Sequence, residues 1–274
     1  MTLSVRNLSF AYRKEPVLTN VEFTATPGRL LAILGPNGVG KTTLFRCILG
    51  EQKRYSGTIE VDGVNLARLS PRALAHRIAY IPQTHAWNVA FSVRDMVLLG
   101  TSHTLSPLSV PGKKQEREAE AALRKLGIDA LSEQPFSHLS GGEQQLVYIA
   151  RALAQNAKIL IMDEPTAALD YGNRLRVLSE VRALAKEGYT VLLSTHDPQY
   201  ALWYADEILA LKNGRVEAFG AAAQQLTPDL LETLYARRVT LTKTDAGCVI
   251  LPATGERIQS TTGSDPGFHK EDHK

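Results

Sequence analysis

Apolar residues fall along this chain in two strand-like patterns. Within residues 3 to 23, Leu3, Val5, Leu8 and Phe10 nearly alternate with polar positions, and Thr58-Ile59-Glu60-Val61 alternates between Gly57 and Gly63. Such alternation predicts short strands of an antiparallel sheet with one wet face. Three other runs are apolar at every position: Leu30-Leu31-Ala32-Ile33-Leu34, Ile159-Leu160-Ile161-Met162 and Val191-Leu192-Leu193. These predict central strands of a parallel sheet covered by helices on both faces. Each leads into a polar turn, and in open α/β sheets ligands sit at the carboxyl ends of the strands.

Helical signals fill the intervals. Ser70-Pro71 reads as an N-cap followed by proline at the first helical position, with a short helix to about residue 77 and then the strand Ile78 to Ile81. From about Thr84 to His138 the apolar positions take helical spacing at Val93, Met96 and Val97, then at Ala119, Ala122, Leu123 and Leu126. A Ser-, Pro- and Gly-bearing loop near Ser102 to Gly112 separates the two groups. The stretch from about 84 to 155 is therefore predicted to be a helical insertion in an α/β core. Thr227-Pro228 predicts a further helix through Leu230, Leu231 and Leu234, and Gly247 to Pro252 a last short strand. Residues 1–252 are expected to form one domain, and 253–274 a polar, disordered tail, since beyond 254 no apolar period remains.

Composition changes this picture little. The chain has 274 residues, 44% hydrophobic and 22% charged, as in an ordinary globular protein. A net charge of +3 without a basic stripe gives no reason to expect a nucleic-acid partner. No apolar run approaches the roughly 20 residues needed to span a bilayer, and MTLSVRNLSF lacks the layout of a secretion signal. The expectation is a cytoplasmic chain whose membrane role, if any, comes through a partner. Cys47 and Cys248 have no metal-like spacing, and Cys47 falls within an apolar helical pattern as buried filler.

The first of the loaded turns is Gly35-Pro36-Asn37-Gly38-Val39-Gly40-Lys41-Thr42, followed by Thr43 and a helix to Leu49 stopped by Gly50. It matches G-x-x-x-x-G-K-[ST] in full, between a buried strand and a helix. The glycines let successive N–H groups turn inward around phosphate oxygens, and the helix N-terminus adds partial positive charge. Lys41 places an ammonium on the outer phosphates, and Thr42 offers a hydroxyl to Mg²⁺. Alone, this loop says only that a nucleoside triphosphate binds.

The second strand ends in Asp163-Glu164. Asp163 fits the carboxylate that holds a magnesium shell, and Glu164, next along at the sheet's mouth, can take a proton from an attacking water. Two solvated acids at a strand end are the bland alternative, weakened by the Pro165 to Asp170 segment that follows. The third strand ends in Ser194-Thr195-His196. A lone histidine is usually a surface residue, but one placed beside the phosphate loop suits contact with a γ-phosphate.

Leu139-Ser140-Gly141-Gly142-Glu143-Gln144 precedes an apolar-periodic helix carrying Leu146, Ile149, Ala150 and Leu153. Ser140 with Glu143 is a capping box, which accounts for both residues. It does not account for two glycines at the helix entry, which lower helix stability. Bare N–H groups there bind anions, so this reads as a second phosphate-binding helix end, used when another copy of the chain lies opposite.

With these motifs in order, the chain resembles the ATP-binding-cassette (ABC) ATPases over nearly all of residues 1 to about 252. The order is Tyr12, the phosphate loop, Gln83, LSGGE, ILIMDEP, AALD and His196. The resemblance implies a P-loop NTPase core with a mostly parallel central sheet, an antiparallel β subdomain and an inserted helical subdomain. It implies that Tyr12 stacks on adenine, that Gln83 reaches Mg²⁺ and the attacking water, and that Ser140, Gly141 and Gly142 contact the γ-phosphate of ATP held by the partner copy, with Asp170 at the dimer seam. Two ATP·Mg²⁺ would then join two copies head to tail, and closing and reopening would drive two transmembrane permease subunits, through which a substrate-binding protein acts. The finer resemblance is to importer cassettes for iron–siderophore, haem, cobalamin or molybdate-like oxyanions, carried by Phe91 to Gly100, Leu169 to Asn173 and Leu226 to Tyr235. That places the chain at the cytoplasmic side of a bacterial inner membrane. Departures are Gln144-Gln145-Leu146 where the family is more basic, Ala168 where it often has Ser, and Val39. None removes a group needed for hydrolysis.

The stretch from Gln83 through Leu99 is expected to carry the coupling surface, with Trp87, Phe91 and Val93 as apolar contacts for a short permease helix; packing within the insertion is the alternative. Chromosome-repair ATPases are excluded because about 100 residues without heptads separate the phosphate loop from LSGGE. An exporter half would carry its own spans, and a ribosome-associated protein a second cassette. A cassette of a non-import system or a non-transport regulator is the remaining alternative.

Overall fold

The computed structural model describes residues 1–83, 90–106, 109–245 and 247–253. The alternating N-terminal residues form a hairpin of β1 (Leu3–Tyr12) and β2 (Glu15–Ala25). Both strands are longer than the sequence pattern predicts, because irregularities between Val5 and Ala11 shift the alternation and disguise its length. β1 also pairs with β4 (Ser56–Val61), which pairs with β5 (Val64–Asn65), giving an antiparallel sheet of order β2-β1-β4-β5.

The three wholly apolar runs become central strands: β3 (Leu30–Leu34), β7 (Ile159–Met162) and β8 (Thr190–Thr195), each buried at every position. With β6 (Ile78–Ile81), β9 (Glu207–Lys212) and β10 (Arg215–Ala221) they form a sheet of order β10-β9-β3-β8-β7-β6, parallel except for the β9–β10 edge pair. β3 explains why such strands are apolar throughout. Leu31 and Ile33 pack with Leu3, Val5, Phe23 and the first helix, whereas Leu30, Ala32 and Leu34 pack on the opposite face with the helical insertion.

Helix α1 (Lys41–Ile48) starts at the phosphate-loop lysine itself, two residues earlier than the sequence predicts, with Gly40 as its N-cap. Ser70 caps α2 (Pro71–Ala75). The insertion between β6 and β7 holds α3 (Val93–Leu98), α4 (Lys113–Lys125) and α5 (Gly141–Ala154), which pack on one another. Gly100, just after α3, meets α5 so closely that a Cβ there would lie 2.1 Å from the Arg151 carbonyl. The Gln155 side chain ties this unit to the core by donating to the carbonyls of Ala75 and Ile78.

Val93 corrects the expected coupling surface. It follows a Ser92–Asp95 capping box and is fully buried with Met96 and Val97 against α4 and α5, because the N-cap aims the first turn's apolar residues inward. Phe91 is 40% exposed. Trp87 and the rest of 84–89 lie outside the described residues, as does the tail from 254 onward.

The C-terminal third is built from α6 (Tyr171–Lys186), α7 (Pro198–Tyr204), β9, β10, α8 (Ala222–Gln225), α9 (Pro228–Tyr235) and a hairpin of β11 (Val239–Thr244) and β12 (Gly247–Pro252). The hairpin rests on α7, where Gln199 Nε2 and Trp203 Nε1 both donate to the Cys248 carbonyl and the Ile250 N–H donates to Gln199. Among the described residues no helix is long and apolar enough to cross a membrane. Cys47 is buried as predicted, and burial pushes its thiol up to about 11.

Candidate functional site

The loop after β3 must turn sharply beneath other chain segments, and its glycines permit this. Gly38 and Gly40 have φ of 80° and 113°, in the left-handed region. A Cβ on Gly40 would lie 2.9 Å from Leu18 Cδ2, and one on Gly35 would lie 2.5 Å from the Leu211 carbonyl. The loop, with Asn37, Gly38, Gly40, Lys41, Thr42 and Thr43, walls a cleft of about 300 Å³ completed by Gln83, Asp163 and Glu164. Residues far apart in sequence thus meet at the carboxyl ends of β3, β6 and β7.

Lys41 is buried, and its ammonium donates to the carbonyls of Gly35 at 2.8 Å and Pro36 at 3.2 Å. Glu164 Oε1 lies 3.4 Å from the same nitrogen. The three donors of the ammonium therefore face three acceptors within the protein. On its other side, Glu164 Oε2 is 3.2 Å from His196 Nδ1. A carboxylate only accepts, so Nδ1 carries the hydrogen and Nε2 is left to the solvent side.

Glu164 has φ of 43°, a left-handed conformation that costs about 1–3 kcal/mol in a residue with a side chain. Ser194 holds it there. The Ser194 hydroxyl accepts the Glu164 N–H at 2.8 Å and donates to Asp163 Oδ1 at 2.6 Å. One buried serine on β8 thus fixes both acidic residues that follow β7. Ser194 is a functional residue that sequence reasoning missed; its signal was a hydroxyl in a strand otherwise committed to burial. Tyr80 on β6 also faces Asp163, and burial, with the Asp163 charge second, pushes its hydroxyl up to about 12.

The buried Asp163 carboxylate and the Thr42 hydroxyl, two oxygen ligands lining one cleft, fit Mg²⁺, which takes one or two protein oxygens and leaves its other positions to phosphate and water. Tyr12, at the tip of the β1–β2 hairpin, is 39% exposed, stands edge-on to Phe10 with centroids 4.8 Å apart, and interacts through its hydroxyl with Arg46 of α1. The adjoining residues Val17 and Leu18 touch Gly40, so the hairpin borders the loop.

The second motif stands on a different face. Ser140 caps α5, and Glu143 closes the box, its Oε2 accepting from both the Ser140 N–H at 2.9 Å and the hydroxyl at 2.7 Å. Those two donors hold the Glu143 carboxyl below its ordinary range. Gly141 packs on Leu169, and Gly142 packs directly on Asn173, where a Cβ would fall 2.3 Å from Oδ1. Asn173 is held in turn by Asp170, which accepts from its N–H at 2.9 Å and its amide at 2.7 Å. Ser140 to Glu143 and Asp170 are therefore brought together, apart from the residues that wall the cleft. Gln144, one of the departures from the family pattern, turns back to donate to the Leu139 carbonyl at 3.1 Å.

The family model described as ABC transporter matches residues 18–167. A Haemophilus influenzae protein, an uncharacterised ABC transporter ATP-binding protein, is 42% identical over 235 residues, covering 86% of this chain and 89% of that protein. The manganese transport system ATP-binding protein MntB of Bacillus subtilis is 38% identical over 239 residues, covering 86% and 93%. The hemin import ATP-binding protein HmuV of Rhodopseudomonas palustris is 36% identical over 253 residues, covering 89% and 92%. Among solved structures, a chain of an inward-facing transporter described as metal-chelate type superposes with a TM-score of 0.80 at 33% identity, over 91% of this chain and 96% of the other.

Proposed function

The chain belongs to the ABC transporter ATPases, which bind ATP with Mg²⁺ and hydrolyse it, and on that premise we propose that it is the nucleotide-binding subunit of an importer for a metal ion, iron chelate or haem. The observation that carries the catalytic reading is Glu164, held between Lys41 and His196 at the mouth of the phosphate cleft. The cargo class is supported by the manganese and hemin relatives and by the metal-chelate transporter. The resemblance to cobalamin and molybdate cassettes, read from the sequence, belongs to the same proposal.

In this reading the phosphate loop's N–H groups and Lys41 hold the phosphates, and Tyr12 stacks on adenine. Lys41 exchanges its two carbonyl contacts and Glu164 for phosphate oxygens. Glu164, released from the ammonium, accepts a proton from the attacking water, and Gln83 orients that water. His196, once its Nδ1–H is released from Glu164, donates to the γ-phosphate. Thr42, Asp163 and Gln83 would hold Mg²⁺, which would offset charge on the phosphates. Ser140, Gly141 and Gly142 of a second copy close the other side, with Asp170 at the seam.

The permease contact in this proposal is an apolar cleft of about 540 Å³ beside β6, lined by Leu49, Tyr55, Leu69, Leu74 and Tyr80 among others. Tyr80 on β6 lines this cleft, and Gln83, two residues beyond the end of β6, lines the nucleotide site. The test is purification from membranes through a tag on this chain. Co-purification of a polytopic permease whose presence stimulates ATPase activity supports the reading, and loss of that association in Leu74→Asp, with ATP binding intact, supports the cleft. Recovery of soluble partners alone would overturn the importer reading.

A further inference from the structure

His196 sits in a very short connection. β8 ends at Thr195 and α7 begins at Pro198. The neighbouring residues are pinned from both sides, since the Asp197 N–H donates to Thr195 Oγ1 at 3.0 Å and Asp197 Oδ1 accepts from the Gln199 N–H at 2.9 Å. The imidazole is about half exposed, with a side-chain relative exposure of 51%. Packing therefore does little to aim it, and its direction is set by its backbone and by its contact with Glu164.

That backbone has a third restraint from outside the core. Tyr235, on the last turn of α9, donates its hydroxyl to the His196 carbonyl at 3.1 Å. The helix that carries it is well anchored: Thr227 caps its start, and Leu231 and Leu234 are buried in the core. Burial drives the Tyr235 hydroxyl above its ordinary range, with the charges of Asp197 and Glu164 adding to the effect, so it stays a donor at any physiological pH.

We propose that Tyr235 is a positioning residue for ATP hydrolysis, holding the His196 carbonyl so that the imidazole meets Glu164 and the phosphate site. The C-terminal helix α9 thereby has a catalytic purpose as well as a packing one. Through the Tyr235 bond, His196 is sensitive to displacement of α9. The inference rests on the catalytic reading of His196.

The experiment compares the full-length chain with Tyr235→Phe, His196→Ala and Trp203→Phe in steady-state ATPase assays with Mg·ATP, with melting temperature measured in parallel. Trp203 reaches the same hairpin by its bond to the Cys248 carbonyl and has no contact with His196 among the interactions described. Tyr235→Phe is expected to lower kcat by about two- to tenfold, the scale of one lost neutral hydrogen bond, with KM for ATP unchanged. Trp203→Phe is expected to leave kcat unchanged at an equal or larger loss of melting temperature. Equal kcat for Tyr235→Phe and wild type overturns the proposal, as does a parallel fall of kcat and melting temperature in both variants, which would mark a purely structural role. If His196→Ala alone retains full kcat, the reading of His196 fails first, and that outcome is distinct from a silent Tyr235→Phe beside an inactive His196→Ala.

Discussion

Glu164 and Lys41 are paired across the floor of the phosphate cleft, Oε1 3.4 Å from Nζ. Each group carries a charge the other neutralises, so nucleotide must separate them before either can act. A carboxylate facing incoming phosphate also opposes its binding by like-charge repulsion. Glu164→Gln removes that charge and the proton acceptor together. The expected outcome is ATP binding at least as tight as wild type, measured by titration calorimetry, with hydrolysis slowed by about 10²–10⁴. Wild-type turnover in this variant would remove Glu164 from the role of base.

Gly142 and Asn173 are in contact within one chain, and Asn173 is bound to Asp170. The start of α5 and the start of α6 therefore move as a unit. Gly142→Ala must push Asn173 away from Asp170, altering the surface expected to face a second copy. The variant is predicted to bind ATP normally, as judged by nucleotide titration, while losing ATP-dependent dimerisation. Unchanged dimerisation would detach this surface from the seam.

Asp206 joins three parts of the core. Its carboxylate accepts from Arg182 Nη2 at 2.8 Å and from the Leu30 N–H at 2.9 Å, with Arg29 alongside. Burial alone would raise its titration, but the bonds from Arg182 and Leu30 and the positive charges outweigh it, and the carboxyl lies below its ordinary range. A depressed folded value means the stabilisation is present above the ordinary carboxylate range and is lost as pH falls through the folded value. Urea unfolding should show Asp206→Asn less stable than wild type by about 1–3 kcal/mol at pH 7. The difference should shrink in acid, below the ordinary range. A gap that is constant with pH would contradict the assignment.

Gly100 has a carbonyl of α5 where a side chain would begin. Gly100→Ala forces the chain after α3 away from Arg151, and overpacking of this kind costs about 1–3 kcal/mol. A lowered melting temperature with nucleotide binding retained is the expected result, since α1, which the phosphate loop opens, packs on the opposite face of β3 from the insertion. An unchanged melting temperature would show that the insertion yields freely.

The buried strands were legible because a residue run with no polar face has few alternatives to a covered parallel sheet. β7 and β8 are buried at every position. The phosphate loop was legible because chemistry constrains its glycines and lysine at fixed spacing. The β9–β10 pair was not predicted, although Asn213-Gly214 between the strands is a strong hairpin signal, with φ of 48° and 72° at the two residues. β11 was missed for a different reason: Thr242, Lys243 and Thr244 are exposed, and the strand forms through its partner and its seat on the core. Ser194 and Tyr235 were illegible as site residues because each acts through a contact across thirty or more residues that no local pattern encodes.

The central claim is that two copies enclose ATP between the Lys41 loop of one and the Ser140 helix end of the other. Light scattering of the Glu164→Gln chain tests it most directly, with and without Mg·ATP and beside the double variant Glu164→Gln with Ser140→Arg. The account predicts a mass that doubles on adding Mg·ATP and stays single when Ser140 is replaced, while ATP still binds. A single mass for the Glu164→Gln chain with ATP bound, or a doubled mass indifferent to Ser140→Arg, would contradict it.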